Sequence, residues 1–415
     1  MFSLAKEMAA ILDRPCVLPE LKNYNNEGSD TNFTLHSQTE NCPHFLAKVV
    51  NHVTLKKSPK WMRDILRSNG IKSINNIVDI SNLVMLETGQ PMHFYDLRSN
   101  PHHEITVKDD LEVDYTALDG NFYHIEKGDL MITSNGEPIG IAGIMGGDNT
   151  KILDDTSAII IECALFDQAQ IRRTANRLGL QTEAAMRYAK GLDPLAQQKA
   201  IDRAMSLLIE YADASDYEKT VEFGSDNYNE IVVKETLKHL NALIGKKYEM
   251  DEVCDILNRL DFHPEIIDDS FISHIPSYRT DIRIREDIDE EIIRLSGYDD
   301  LATTLPLMPQ TIGKLSVRQG MRRTIEDLLT NAGLYETITY TLVSSQAVSG
   351  NLMPLGDAIE LKQPLSDARK YIRTSLMPSM LECLTYNIAH NNENVNLFEI
   401  SSIYANGLQE ERLAI

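Results

Sequence analysis

Apolar positions recur along this chain at two spacings, and the switches between them outline its elements. The opening SLAKEMAAIL predicts a short helix over residues 3–12, and the polar NYNNEGSDTN after it predicts a linker. From about residue 42 to 212 strand and helix patterns alternate. Ser58-Pro59 predicts a cap followed by proline at the first helical position, with Gly70 as stop, and a second helix over 76–88 stops at Gly89. Strands then dominate: EITVKD, MITSN, EPIGIAGIMGG and the apolar run AIIIECALF. Asp167 predicts the cap of a helix ending at Gly179, and Asp193-Pro194 opens a helix to about 211 with Ala200, Ala204 and Leu208 near one face.

Beyond residue 230 the units are smaller. Leu237, Leu240 and Ile244 form one helical stripe, and Val253, Ile256, Leu257 and Leu260 a second. The strand FISHIP follows, then a helix over about 286–296. Short helices with a strand pair predict a winged-helix-like module. A proline-rich linker spans 301–309. After it a helix over 315–332 should turn Val317, Met321, Ile325 and Leu328 inward. The strand YETITYTLV, a helix over 378–389 and the strand VNLFEISSIY complete a helix-plus-antiparallel-sheet pattern, and EERLAI ends it mid-pattern. The fold class is therefore α+β and multidomain.

Charge changes this picture locally. The 415 residues carry a net charge of −22, which excludes a general phosphate-coating protein. The stretch 207–230 holds seven acids against Lys219 and predicts a solvated hinge. Residues 171–203 reverse the sign, with seven bases against three acids, and offer a local patch for a phosphate-bearing partner. No run approaches the roughly 18 apolar residues of a membrane span. The five scattered cysteines form no CxxC pair. They read as free thiols in a reducing cytoplasm, which sets the expected localisation.

Several places can carry chemistry. GQPMHFYDL places His93 beside aromatic residues just past a helix end. GIAGIMGG packs four glycines into eight residues, so backbone there can approach a ligand, or simply turn tightly. Glu162 interrupts the apolar run AIIIECALF, and a carboxylate there must find a partner because burying it alone costs several kcal/mol. Asp287, Glu290 and Glu291 share a helical edge, and Asp281 can fold back onto it. Two readings stand for these four: a solvated acidic edge, or a site for a hard cation such as magnesium.

Four long motifs, in order, carry a resemblance: NNIVDISNLVMLETGQPMHFYDL, GIAGIMGGDNT with IIIECALFD, RRTANRLGLQTEAAMRYAKGLDP, and SYRTDIRIREDIDEEIIRLSGY. From about residue 3 to its end the chain resembles the beta subunits of bacterial phenylalanyl-tRNA synthetases. The resemblance implies an N-terminal remnant and linker (1–27), an editing domain of the B3/B4 type (28–215) and a winged-helix-like magnesium-binding module (227–303). A partial, catalytically silent class II synthetase-like domain (309–415) follows. His93, Gly146, Glu162, Thr182 and Ala184 fall on the family's editing-pocket positions, where tRNA(Phe) mischarged with tyrosine is hydrolysed. Asp281, Asp287, Glu290 and Glu291 fall on its Mg2+ site, at contacts with the alpha subunit. Aminoacylation, with ATP and phenylalanine bound at that subunit in an alpha2beta2 tetramer, is the family's activity. Arg373 reads as structural. The family's N-terminal tRNA-binding module and C-terminal anticodon-binding domain are not in this sequence, so the resemblance implies a fragment. The other functional class to weigh is a non-catalytic assembly scaffold with a vestigial pocket.

Overall fold

The isoleucine run at 159–161 forms a strand buried on both faces, which is why it shows no polar alternation. Ile160 and Ala164 point into one hydrophobic cluster and Ile159, Ile161 and Cys163 into another. By the two-residue period Glu162 shares the face of Ile160 and Ala164.

A computed structural model describes residues 1–225, 228–352 and 355–415. They fall into two compact units, Met1–Thr304 and Leu305–Ile415, which together give an α+β, multidomain chain. In chain order the first unit contains α1 (Phe2–Ile11), β1 (Thr34–Ser37), β2 (His44–His52), α2 (Lys60–Ser68), α3 (Asn76–Thr88), β3 (His93–Asp96) and β4 (Glu104–Lys108). There follow β5 (Val113–Thr116), β6 (Phe122–Ile125), β7 (Met131–Ser134), β8 (Glu137–Ile141), β9 (Met145–Gly146) and β10 (Ile159–Leu165). Next come α4 (Gln168–Leu178), α5 (Glu183–Lys190), α6 (Ala196–Ala212), β11 (Ser215–Tyr217) and β12 (Val221–Gly224). Then β13 (Ile231–Thr236), α7 (Leu237–Ile244), α8 (Met250–Arg259), β14 (Glu265–Ile267), β15 (Ser270–Ile275) and α9 (Arg285–Ser296) complete it.

Two sheets face each other across the larger cluster. One runs β1-β4-β7-β8-β9; the other runs β11-β2-β10-β3, with β12 also on β2. Residues of α3 and α6 cover the outer face of the second sheet. The predicted caps form at α4, where the Asp167 side chain accepts from the Gln170 amide and Gly179 takes the left-handed conformation. At α2 the prediction fails. Pro59 occupies the cap position, because the Ser58 hydroxyl is turned to the buried Asp79 carboxylate instead.

The acidic stretch 207–230 is not a free hinge. β11 and β12 pair with β2, and Glu222 reaches the buried His44 ring at 2.9 Å. Asp216 and Glu222 sit on exposed strand positions, whereas Glu218 is buried. Residues 226–227 of that stretch lie outside the described residues.

The last part of this unit is a small module. Its sheet, β13-β15-β14, packs on α7, α8 and α9 around Leu240, Tyr248, Phe262, Phe271, Ile288 and Ile292. Ala10 of α1 joins that cluster, and Arg259 donates to the Ala10 carbonyl. The Met1 ammonium meanwhile donates to the carbonyls of Leu86 and Glu87 at the end of α3. The opening helix thus bridges the two parts of this unit.

The second unit holds α10 (Val317–Asn331), β16 (Tyr335–Glu336), β17 (Leu342–Val343), α11 (Ser345–Ser349), β18 (Tyr371–Ile372), α12 (Met377–Ala389), β19 (Leu397–Ala405) and β20 (Leu408–Ala414). YETITYTLV is not one strand. Only its ends pair, to β19 and to β18. The α10 stripe does not turn inward either: Val317, Met321 and Leu328 are exposed, because the core of this unit gathers around α12 and β19 instead.

Candidate active site

Strand register builds the pocket. β10 runs antiparallel to β3, with Glu162 directly opposite His93. The period of two puts Tyr95 on the same face as His93, and their rings meet edge to face at 4.5 Å. β8 and β9, from the other sheet, form the facing wall, and Gly143 turns between them at φ +66°. The result is a pocket lined by His93, Tyr95, Gly146, Glu162, Ala184 and Tyr188 among others.

Four of the five residues implied by the resemblance therefore line one cavity. Thr182 stands behind it. Its hydroxyl caps α5 by accepting from the Ala185 amide, and donates to the Ile144 carbonyl at 2.8 Å. One side chain thus ties the helix carrying Ala184 to the turn carrying Gly146. A β-carbon on Gly146 would collide with the His93 ring, so glycine there keeps the ring in place. Gly143 is confined in the same way: a β-carbon would lie 3.0–3.1 Å from Phe166, Tyr188 and Ile171.

The polar groups are buried. The Tyr95 hydroxyl donates to Oε2 of Glu162. Burial pushes the Glu162 carboxyl up to about 7, against the opposing pull of that hydrogen bond. His93 is held down to about 4 by burial, so its imidazole is neutral near pH 7, and its Nε2 is buried without a partner. Tyr188 donates to the Ala164 carbonyl at 3.0 Å, and buried Gln90 bonds the Pro91 and Ala164 carbonyls, which locks the pocket floor.

Sequence reasoning missed Tyr95, Tyr188 and Gln90. The signal for Tyr95 was present, since HFYD places it two residues beyond His93 and hence on the same strand face. Tyr188 and Gln90 meet only through the tertiary packing of α5.

The basic stretch beside the pocket is thinner than its charge count. Arg177 pairs with Asp129 and Glu126, Arg187 with Glu183, and Arg203 with Glu87 at 2.6 Å. Arg173 donates to Gln170. Arg172, Arg173, Lys190 and Lys199 carry the remaining charge.

The four carboxylates of the small module do not form a cation cradle. Among the described residues, no three of them bring ligand atoms within 4.8 Å of one another. Arg279 grips Asp281 at 2.7 Å and buried Glu291 at 2.7 Å, and Arg294 also holds Glu291. Asp287 accepts from the backbone amides of Arg283 and Ile284, closing the first turn of α9. Both Asp281 and Glu291 are held below the usual carboxylate range, Asp281 chiefly by Arg279 and Glu291 by Arg294 and Arg279 against its burial. As the free chain arranges them, these residues do not fit a magnesium ion.

In the second unit Arg373 is buried and bonded to Glu399 at 2.9 Å, to the Ser402 carbonyl and to the Thr339 hydroxyl. All five cysteines are free. Among the described residues no helix is long and apolar enough to cross a membrane.

Comparison with known proteins gives these features a common frame. Three family models match in order: the B3/4 domain at 41–213, the tRNA synthetase B5 domain at 233–298, and the phenylalanyl tRNA synthetase beta chain CLM domain at 301–415. Curated relatives include the proteins named phenylalanine–tRNA ligase beta subunit of Staphylococcus aureus strains bovine RF122 and MRSA252. Each is 37% identical over 412 residues, covering 98% of this chain and 52% of the relative. The chain thus spans about half the length of the curated relatives it matches. A crystal structure of an N-terminal fragment of the phenylalanyl-tRNA synthetase beta-subunit from Pyrococcus horikoshii is also similar. It shows 13% identity and a TM-score of 0.37, over 71% of this chain and 81% of that one, a likeness too slight to carry an argument. Three matched domains in sequence and that identity along nearly the whole chain show that it belongs to the phenylalanyl-tRNA synthetase beta-subunit family.

Proposed function

We propose that the pocket between β3, β10 and the β8–β9 turn hydrolyses tRNA(Phe) mischarged with tyrosine. The observation that carries this reading is the state of Glu162: one oxygen is held by Tyr95, and the other is left for a donor inside the pocket. A tyrosyl phenol satisfies that oxygen. A phenylalanyl ring leaves it desolvated and unpaired, which costs about 1–3 kcal/mol. An apolar first pocket rejects an added hydroxyl poorly, and a second hydrolytic site supplies the missing selectivity. His93, held near 4, is a weak base at neutral pH. Its role is to orient the attacking water or the ester through its unpartnered Nε2. Gly146 lets backbone approach the ligand, and Arg172, Lys190 and Lys199 meet the phosphates of the acceptor end.

In this reading residues 28–215 are the editing domain and 227–303 a winged-helix-like module. Residues 309–415 are a silent class II-like domain whose Arg373 is structural, and residues 1–27 lead into the editing domain. Aminoacylation of tRNA(Phe) belongs to a cytoplasmic alpha2beta2 assembly, with ATP and phenylalanine at the alpha subunit. Magnesium at Asp281, Asp287, Glu290 and Glu291 requires Arg279 to leave two of them, and no step here is routed through it. The scaffold reading is favoured by one observation, the exposed apolar stripe of α10, which offers a surface for a partner.

Preformed Tyr-tRNA(Phe) and Phe-tRNA(Phe), incubated with the chain, test the proposal. Tyrosine release should exceed the buffer blank, and Glu162→Ala should narrow the preference for Tyr-tRNA(Phe). Release equal to the blank overturns the hydrolytic reading and leaves the scaffold.

A further inference from the structure

The small module holds a cluster that neither the pocket nor the acidic edge uses. Glu235 is the penultimate residue of β13, His239 lies in the first turn of α7, and Asp289 sits on α9. One ligand atom of each lies within 4.8 Å of the other two. His239 Nδ1 is 3.0 Å from Glu235 Oε2 and 3.6 Å from Asp289 Oδ2. The Glu235 and Asp289 side chains are 1% and 3% exposed, and neither oxygen of Asp289 has a hydrogen-bond partner. A buried carboxylate with two unpartnered oxygens aimed at an imidazole and a second carboxylate is costly as it stands.

We propose that Glu235, His239 and Asp289 form a site for a zinc-class divalent cation that clamps α9 to the β13–α7 corner. One imidazole and two carboxylates suit a borderline dication better than a hard one. Metal–ligand bonds of about 2.0–2.1 Å in tetrahedral arrangement put ligand atoms about 3.4 Å apart, between the two spacings found here. The ligands are preset. Thr236 caps α7 by accepting from the His239 amide, and the Glu235 Oε1 atom is fixed by the Thr236 amide, so Oε2 remains directed at the imidazole. Among the described residues no lysine or arginine fills the role: Arg285 Nε lies 4.0 Å from Glu235, is half exposed, and pairs with Glu286. His239 is 29% exposed, which leaves a path from solvent. A module with so small a core gains from such a clamp.

The test uses the full chain and zinc alone. After equilibration with micromolar Zn2+ and gel filtration, wild type should retain about one equivalent. Asp289→Asn and His239→Gln should bind at least about tenfold more weakly. Asp281→Asn, on the other acidic group, should bind as wild type does. Cobalt substitution gives an independent reading, as a d–d absorption band showing nitrogen and oxygen ligation in wild type. It decides the matter if either variant fails to fold. Retention of no zinc and no cobalt band by wild type, or equal binding by folded Asp289→Asn and His239→Gln, overturns the site.

Discussion

Replacing Glu162 with glutamine isolates the energetic consequence of burying that carboxyl. Its value rises from the ordinary 4.5 to about 7, so the folded chain holds a proton that the unfolded chain has released across that window. Stability is therefore full below about pH 4.5 and falls as pH rises to about 7, by about 3 kcal/mol in total. His93 has the opposite sign. Lowered from 6.5 to about 4, it removes stability as pH falls through that interval, and between 4.5 and 6.5 the two slopes nearly cancel in the wild type. The difference between Glu162→Gln and wild type removes the His93 contribution. Glutamine keeps an oxygen for the Tyr95 hydroxyl, and whatever its amide costs is the same at every pH. The variant should therefore gain about 2–3 kcal/mol relative to wild type between about pH 5 and about pH 8. Urea unfolding followed by tryptophan fluorescence reads this cleanly. The chain's single tryptophan, Trp61, lies in α2 of the same unit and packs edge to face on Tyr211 at 5.6 Å. A relative stability that stays flat across that range, or that falls as pH rises, refutes the reasoning.

Gly146→Ala keeps an allowed backbone but drives the His93 ring aside. Tyr-tRNA(Phe) hydrolysis should fall about a hundredfold for a stability loss of about 1–3 kcal/mol, and an active variant would show that the ring is free to move. Thr182→Val removes the cap of α5 and the tether to Ile144, with an expected loss of about 1 kcal/mol in urea unfolding and a drop in hydrolysis rate at saturating substrate. Arg203→Met leaves Glu87 without its bidentate partner near the α3 terminus, and should lower stability in the Trp61 transition by about 3 kcal/mol. An unchanged midpoint would mean that water already serves that carboxylate.

What the sequence disclosed follows from the range of the interaction concerned. The Asp167 cap, the Gly89 and Gly179 stops and the isoleucine strand are settled by neighbours within a few residues, and they form where the pattern puts them. Features settled by distant partners were not legible. The acids of β11 and β12 look like a hinge until β2 supplies their ladder. YETITYTLV carries β-favouring residues throughout, but only its ends find strands to pair with. Arg279 reads as one base beside many acids, and only the fold shows it gripping Asp281 and Glu291 at once. Four of the five pocket positions were reachable because motifs on β3, β9, β10 and α5 each bring a single residue to a common point. The Glu235–His239–Asp289 cluster draws two residues from the β13–α7 corner and one from α9, far along the chain, so no local pattern announces it.

The proposed selectivity and the predicted loss of stability at high pH are one interaction seen twice. Glu162 is unfavourable when ionised because it is buried, and among the described residues only Tyr95 donates to its carboxylate. A phenol entering the pocket donates to the other carboxylate oxygen and favours the ionised form, so a tyrosyl ligand should lower the Glu162 value and release a proton near pH 7. A phenylalanyl ligand has no donor and should raise it further by excluding water. Binding of L-tyrosinamide and L-phenylalaninamide, measured by calorimetry in buffers of different ionisation enthalpy, separates these cases. Proton release with the first and uptake with the second is expected. Identical proton counts for the two would mean that Glu162 does not meet the ligand's ring edge, and the discrimination would have to come from elsewhere in the pocket.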